Sequence, residues 1–389
     1  MSTIAIEIKG ELENISPICI GNEFYPRGQD IRGAMGYVFL DMGLKNVSRT
    51  FEKDVPHFAY FKDAYVRHNC KDKGRFLPVV QMATGGIGGG KGRYGRDGRN
   101  FPDTIYRCDK CLATLRYPTR KDKTIGIHIN KTDDLRIEKA SSFVIDTIGE
   151  GNRFDLDMIL NVNPNINKTL NKNNGKDGKN RERIDVENCV AEFISGIKYV
   201  SEIGSFNLGK RSRKGLGLMK LKNVEIKKIT MDDISRRGDF IYEKIKKDDA
   251  KLTIHLLSDT IEKFPITGDD LLRNIKNSIK FFHPHWHEIR DEYRDPKVNL
   301  IGKNIEYDER KTTYFLDCKV ENRGEGGIEI ENQKLNKIDF VISRGTQYSY
   351  QLYDVDKISS EFWNGLAMAE MLRGIGDRSS FGKGQFVVS

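Results

Sequence analysis

Apolar and polar residues alternate at the start of the chain, where Ile4, Ile6 and Ile8 are interleaved with Thr3, Ala5, Glu7 and Lys9. A period of two predicts a strand with one face turned to a core. The same rhythm returns at Leu252, Ile254 and Leu256, set between Lys251, Thr253 and His255. A third strand is predicted at Phe154 to Val162, with Phe154, Leu156, Met158 and Leu160 on one side. Elsewhere the period lengthens to that of a helix. Val186, Val190, Phe193, Ile194 and Ile197 fall on one helical face. Phe362, Leu366 and Ala369 fall on another, with Ser360 as its expected cap. A third helix is expected from about Ile31 to Leu40, with Gly28 and Asp30 before it.

Two of these helices lead into matching loops. Gly209 to Gly217 reads G-K-R-S-R-K-G-L-G, and Gly376 to Gly384 reads G-D-R-S-S-F-G-K-G. Both fit G-x-R-S-x-x-G-x-G, and a strand is predicted after each, at Leu218 to Ile226 and at Gln385 to Val388. Helix, basic glycine loop and strand therefore occur twice. The expected architecture is two α+β domains, each an antiparallel sheet backed by helices. The first spans roughly residues 1–228 and the second roughly 245–389, joined by the charged stretch Lys227 to Asp249. The first domain carries insertions at about 66–123 and 163–183. Within them, the Gly/Arg-rich Ala83 to Asn100 and the Asn/Lys/Gly-rich Asn163 to Arg183 are too polar to fold alone and are expected to be mobile loops.

Composition narrows the partners. The 389 residues hold 65 Lys plus Arg against 56 Asp plus Glu, a net charge of +9. That excess suits a polyanion such as nucleic acid, or simply a basic soluble protein. No run approaches the ~20 apolar residues that span a bilayer. Met1 to Gly10 lacks the basic-then-apolar layout of a signal peptide, so no membrane and a cytoplasmic location are expected. Six cysteines are too few for a disulfide scaffold.

The glycine loops are the leading candidate site. Glycines let a backbone approach a ligand, and consecutive N–H groups form an anion-binding nest. Lys210, Arg211, Arg213 and Lys214 surround the first loop, which favours a sugar-phosphate backbone over a mere tight turn. The second carries Arg378 and Lys383 only, and packing explains it equally well. A further candidate is Tyr25 to Gly36, Y-P-R-G-Q-D-I-R-G-A-M-G, where Arg27, Gln29 and Arg32 flank a helix N-terminus. The competing reading is ordinary capping by Asp30.

The P-x-G-x-x-I-R-G-A helix start, followed by a G-x-R-S-x-x-G-x-G loop closing each half, resembles the RAMP superfamily of CRISPR-associated proteins. F-K-D-A-Y at Phe61 to Tyr65, L-L-S-D at Leu256 to Asp259 and S-R-G-T-Q-Y-S-Y at Ser343 to Tyr350 look most like the two-domain, Cas-five-like RAMP subunit of subtype III-D effector complexes. The resemblance implies two ferredoxin-like (RRM-like) domains. It also implies a non-catalytic subunit that grips the 5′ repeat-derived handle of the CRISPR RNA in antiviral defence. Its partners would be the large polymerase-like subunit and the backbone RAMP subunits, with target nucleic acid met only indirectly. By matching positions, the handle contacts would be Arg27, Gln29, Arg32, Lys210, Arg211 and Arg213, with Arg378 a weaker one. Asp30 departs from the usual pattern, because it would repel phosphate unless it caps the helix.

Two alternatives are enzymes. A repeat-processing endoribonuclease would need a histidine base. His57, His68 and His128 are candidates, but spacing gives none of them a partner, and a strand position makes His128 structural. A backbone RAMP subunit that cuts target RNA would need an acid, and Glu23 or Asp30 would have to serve. A protein scaffold is the third alternative.

His68 and Cys70 form H-x-C, and Cys108 and Cys111 form C-x-x-C. Four such ligands suit a tetrahedral structural zinc, the alternative being reduced, partly buried cysteines. His283 to His287, H-P-H-W-H, reads as a histidine-rich loop rather than a metal site. Gly85 to Gly92 imitates a nucleotide phosphate loop, but Gly92 stands where Ser or Thr must bind magnesium, so an NTPase is excluded. A basic loop over RNA fits Lys91, Arg93, Arg96 and Arg99 better.

Overall fold

The computed structural model describes residues 2–20, 23–52, 57–81, 103–115, 117–119, 121–131, 137–163, 185–209, 215–262, 266–286, 305–307, 316–319, 339–342, 344–377 and 379–388. Strand β1 (Thr3–Asn14) runs through the middle of the first sheet. It pairs antiparallel with β8 (Arg153–Asn161) on one side and β10 (Leu218–Thr230) on the other. Strand β2 (Ala59–Phe61) adds to β8, and the short β9 (Phe206–Asn207) adds to β10, giving the order β2-β8-β1-β10-β9. Helices α1 (Gly28–Asp41) and α2 (Lys45–Glu52) lie in the chain between β1 and β2. Helix α3 (Val186–Ile203) follows β8 and precedes β10. The core strands β1, β2, β8 and β10 thus follow the split β-α-β pattern taken twice, which is the ferredoxin-like topology.

The second half repeats it. Here β11 (Lys251–Leu256) is central, and the order is β12 (Ile305–Tyr307), β15 (Gln347–Leu352), β11, β16 (Phe386–Val388). Helix α5 (Gly268–Phe282) follows β11, and α6 (Ser360–Met368) precedes β16. The cap of α6 is Ser359, not Ser360, and its side chain makes no capping hydrogen bond.

Each domain carries a hairpin before its third core strand: β6 (Lys121–Lys131) with β7 (Ile137–Ile148), and β13 (Leu316–Lys319) with β14 (Asp339–Ile342). The first domain has in addition a three-stranded sheet of β3 (Phe76–Gln81), β4 (Asp103–Cys108) and β5 (Thr114–Leu115). Among the described residues, the insertion expected at 66–123 holds the strands β3, β4 and β5 and the start of β6. Residues 82–102 and 164–184, where mobile loops were expected, lie outside the described residues.

The charged stretch expected to be a connector is a helix, α4 (Met231–Lys247). Its N-terminus is closed reciprocally: Thr230 N–H donates to the Asp233 carboxylate at 3.0 Å, and Asp233 N–H donates to Thr230 Oγ1 at 3.4 Å. Ile234, Gly238, Ile241 and Ile245 form its buried stripe. Gly238 sits so close to α6 that a Cβ would stand 2.8 Å from Asn364 Oδ1. Most of the first sheet packs on α1 and α3 through Ile8, Leu12, Phe39, Phe154 and Phe193. Its other face is not free. Ile4, Ala5, Tyr60, Ile159 and Ile229 belong to the core of the second domain, beside Phe282 and Trp363.

Candidate nucleic-acid interface and metal centre

The two glycine loops are seated by the same hydrogen bonds. In the first, Leu208 N–H donates to Gly217 O at 2.8 Å, and Gly217 N–H donates to Pro17 O at 2.8 Å. In the second, Ile375 N–H donates to Gly384 O at 2.8 Å, and Gly384 N–H donates to Asp259 O at 2.9 Å. The segment beneath each loop pairs in turn with the end of the inserted hairpin, Ile18 with Ile148 and Thr260 with Ile342. Gly209, Gly217, Gly376 and Gly384 all have positive φ and back onto main chain. A Cβ on Gly217 would stand 2.1 Å from Leu208 O, and one on Gly384 would stand 1.6 Å from Ile375 O. The repeated spacing thus gives the two loops matching ends, seated on equivalent ends of the two sheets.

What the loops face differs. Gly215 and Gly382 are equivalent, with φ of 81° and 85°. Gly215 is exposed, and no described residue comes within 4 Å of where its Cβ would be. Gly382 is buried against the first domain, where a Cβ would stand 2.7 Å from Phe61 O and 2.9 Å from Gly28 Cα. The second loop is therefore part of the joint between domains. Its Lys383 is buried with its ammonium 4.0 Å from Asp259. Asp63 in the same joint accepts from Gly28 N–H at 2.8 Å. Burial pushes the Asp63 carboxyl up to about 7 against the opposing pull of that N–H and of Arg344 and Lys383.

Arg344 spans the joint. Its guanidinium donates to Tyr25 Oη at 2.8 Å and to the Glu23 carboxylate at 2.7 Å, while its backbone N–H donates to Asp259 at 3.1 Å. Burial alone would raise Glu23, but Arg344 holds its carboxyl below the usual carboxylate range. Tyr65 Oη donates to Leu257 O at 2.7 Å across the same joint. The sequence singled out the segment around Arg344 as a motif without giving this arginine a role. A buried charge spanning two domains leaves no mark in local spacing.

At the helix start, Arg27 is the residue before α1. Its N–H and Nε both donate to Asp30, at 3.2 and 3.1 Å. Asp30 thus closes the helix end and pairs with Arg27, which removes the repulsion it would otherwise offer a phosphate. Arg27 and Gln29 are half-buried at the surface. Arg32 is buried, with its guanidinium 4.9 Å from the Phe51 ring centroid and 4.8 Å from that of Phe381. It serves as a packed cation between aromatic faces rather than as an exposed phosphate contact. Lys91, Arg93, Arg96, Arg99, Lys210, Arg211, Arg213, Lys214 and Arg378 lie outside the described residues.

His68, Cys70, Cys108 and Cys111 come together although 43 positions separate the outermost pair. Their ligand atoms all lie within 4.8 Å of one another, and the group can hold a metal ion. Cys70 Sγ is 3.9 Å from Cys108 Sγ, and His68 Nδ1 is 3.2 Å from Cys111 Sγ. Burial raises the Cys108 thiol, but the N–H groups of Cys111 and Lys110 and the His68 side chain outweigh it and bring it down to about 6. The other histidine candidates are placed differently. His57 stacks on Phe281 with centroids 3.6 Å apart and meets Tyr60 Oη at 3.0 Å. Burial, aided by Arg373 and Lys280, lowers it to about 3. His128 lies on β6. His283 and His285 stand 6.1 Å apart, while His287 lies outside the described residues.

No protein-family model matches the chain, and no curated protein matches it. Among solved structures, the chain is similar to Thermus thermophilus Cas6, at 11% identity over 100% of both chains with a TM-score of 0.38. It is similar to a Cas6 product complex at 11% identity, over 99% of this chain and 100% of that one, with a TM-score of 0.40. It is also similar to a chain of the type III-B Cmr-beta complex bound to cognate target RNA, at 11% identity over 92% and 94% of the two chains, with a TM-score of 0.37. The strand order and hydrogen bonds, rather than these likenesses, assign both domains of the chain to the ferredoxin-like fold.

Proposed function

We propose that the protein is a non-catalytic, RNA-binding RAMP subunit of a type III CRISPR effector complex, in the two-domain position typified by subtype III-D. It grips the 5′ handle of the CRISPR RNA with its first glycine loop and meets the large and backbone subunits through its remaining surface. The observation that carries this reading is the divergence of the two equivalent loops. The second is used up in joining the domains around Gly28 and Gly382. The first has its exposed Gly215 facing no described residue, and it is the copy whose sequence holds Lys210, Arg211, Arg213 and Lys214. A glycine loop whose sequence carries four cations is suited to phosphates rather than to base edges.

Four of the groups that a nuclease would use are engaged elsewhere, which supports the non-catalytic reading. Glu23 is tied to Arg344 and Asp30 to Arg27. His57 is held against Phe281 and Tyr60, and His68 belongs to the cysteine cluster. The test is incubation of the purified chain with labelled CRISPR repeat RNA, in magnesium and in EDTA, at two salt concentrations. Binding that weakens steeply with salt and leaves the RNA intact is expected, because phosphate contacts release counterions. A discrete cut made without metal and lost in a single His→Ala variant would instead make the protein a processing endoribonuclease.

A further inference from the structure

We infer that His68, Cys70, Cys108 and Cys111 form a structural zinc centre that staples the first-domain insertion beneath the joint between the two domains. The argument begins with two tight turns. One runs from Cys70 to Lys73, whose N–H donates to Cys70 O at 3.0 Å. The other runs from Cys108 to Leu112, whose N–H donates to Cys108 O at 3.1 Å. Each ends on a residue in the left-handed region, Lys73 at φ 49° and Leu112 at φ 62°. Such turns aim main-chain N–H groups at sulfur. Gly74 N–H lies 3.3 Å from Cys70 Sγ, and the N–H groups of Lys110 and Cys111 are directed at Cys108.

The turns are then fitted to one another. A Cβ on Gly74 would stand 2.4 Å from Cys108 Sγ, so only glycine lets the two approach this closely. Arg75 N–H donates to Asp109 Oδ1 at 2.9 Å, and Asp109 N–H returns to Arg75 O at 3.1 Å. His68 is fixed by its own N–H to Gly74 O at 2.7 Å and by Phe76, whose ring lies 4.6 Å away. A tetrahedral zinc with bonds of about 2.3 Å to sulfur and about 2.0 Å to nitrogen needs ligand–ligand edges of roughly 3.5–3.8 Å. The observed opposite edges, 3.9 Å and 3.2 Å, bracket that figure. Three thiolates, one neutral imidazole and Zn²⁺ leave one negative charge; the adjoining residues in sequence are the basic Lys71, Lys73, Arg75 and Lys110 and the acidic Asp72 and Asp109, of which Asp109 pairs with Arg75. No open position remains for a water or substrate, so the centre is structural rather than catalytic.

Its leverage comes from what the turns hold. The His68 side leads back through Val66 and Arg67, which bond to β8. The Cys108 side ends β4, whose Tyr106 packs edge-on against Tyr25 at 6.1 Å. Tyr25 is the residue that receives Arg344 from the second domain. The staple does not depend on RNA binding.

The test is the full chain purified with zinc present, its metal content measured by mass spectrometry and its stability followed with and without a strong chelator. One zinc per chain is expected. Cobalt exchanged into the site should give tetrahedral d–d bands and a sulfur-to-cobalt charge-transfer band. Chelation should raise the rate of proteolytic cutting within residues 66–118 at least tenfold. Cys108→Ser should abolish zinc, whereas His68→Cys, which keeps four ligands, should retain it. If Cys108→Ser does not fold, chelation of the unaltered chain supplies the same comparison. Less than a tenth of a zinc per chain with all three thiols freely reactive, or iron with sulfide in place of zinc, would overturn the assignment. Zinc that is removed without any change in proteolysis would overturn the staple.

Discussion

Gly215 and Gly382 hold the same place in the two loops and the same left-handed conformation, so the protein contains its own control for what each loop does. Alanine at either position pays the backbone strain of a positive φ, about 1–2 kcal/mol. At Gly215 little else opposes it, because no described residue lies within 4 Å of the new Cβ. At Gly382 the Cβ would be 2.7 Å from Phe61 O and 2.9 Å from Gly28 Cα. Carbon contacts settle near 3.5–4.0 Å, so the overlap is roughly 0.5–1 Å. The obstructing atoms are backbone on the other domain, and no rotamer change relieves them. Overpacking of this kind adds about 1–3 kcal/mol. A loss of 1 kcal/mol moves the melting temperature of a folding unit of this size by roughly 2–4 °C. Gly382→Ala should therefore melt roughly 2–12 °C below Gly215→Ala. Gly28→Ala, whose Cβ would stand 2.0 Å from Phe61 O, should resemble Gly382→Ala. Differential scanning fluorimetry and urea titration of the three variants check this. Equal melting of Gly215→Ala and Gly382→Ala, or the reverse order, would refute the division into an exposed loop and a joining loop.

Arg344→Met should destabilise the joint by about 3–5 kcal/mol, because it strands the Glu23 carboxylate and the Tyr25 hydroxyl in a buried site. Urea denaturation should show Arg344→Met/Glu23→Gln losing less than Arg344→Met alone, and an equal loss would mean the pair is not coupled. Asp63 gives a dependence on pH. With its carboxyl raised from 3.8 to about 7, the folded protein keeps a proton between pH 4 and 7 that the unfolded chain releases. Its contribution is thus present at the acid end and lost as pH rises across that window, by at most about 4 kcal/mol. Asp63→Asn can still accept from Gly28 N–H, so its stability advantage over the unaltered chain should grow from pH 5 to 8. Chemical denaturation at several pH values reads it, and an advantage that does not vary with pH would contradict the buried-acid account.

Much of the fold was legible because it rests on local signals. The alternation at Ile4 to Ile8 and Leu252 to Leu256 marked both central strands. The repeated glycine loop marked the internal duplication, which the structure extends to matched hydrogen bonds. What was missed depends on context. Helix α4 was read as a connector because its many charges obscure the Ile234, Gly238, Ile241, Ile245 stripe. Within the first insertion, β3, β4 and β5 pair with one another rather than with the main sheet. Arg32 has the same chemistry as a phosphate ligand, and only tertiary packing sets it between Phe51 and Phe381. Arg344 earns its importance from Glu23 and Tyr25, more than 300 positions away. The His/Cys group that could hold a metal, by contrast, could be named from the sequence. Thiol and imidazole at H-x-C and C-x-x-C spacing are few enough to be paired on the page, and folding did bring them together.

The central claim is that RNA is held by the first loop and not by the second. The measurement that tests it most directly is the affinity for labelled CRISPR repeat RNA at fixed salt, compared between Arg211→Ala/Arg213→Ala and Arg378→Ala, with folding monitored in both. Loss of two phosphate contacts should weaken binding at least tenfold, equivalent to about 1.4 kcal/mol, and flatten the salt dependence by about two. Arg378→Ala should bind nearly as tightly as the unaltered chain. Unchanged affinity in the double variant, or a greater loss in Arg378→Ala, would contradict the account.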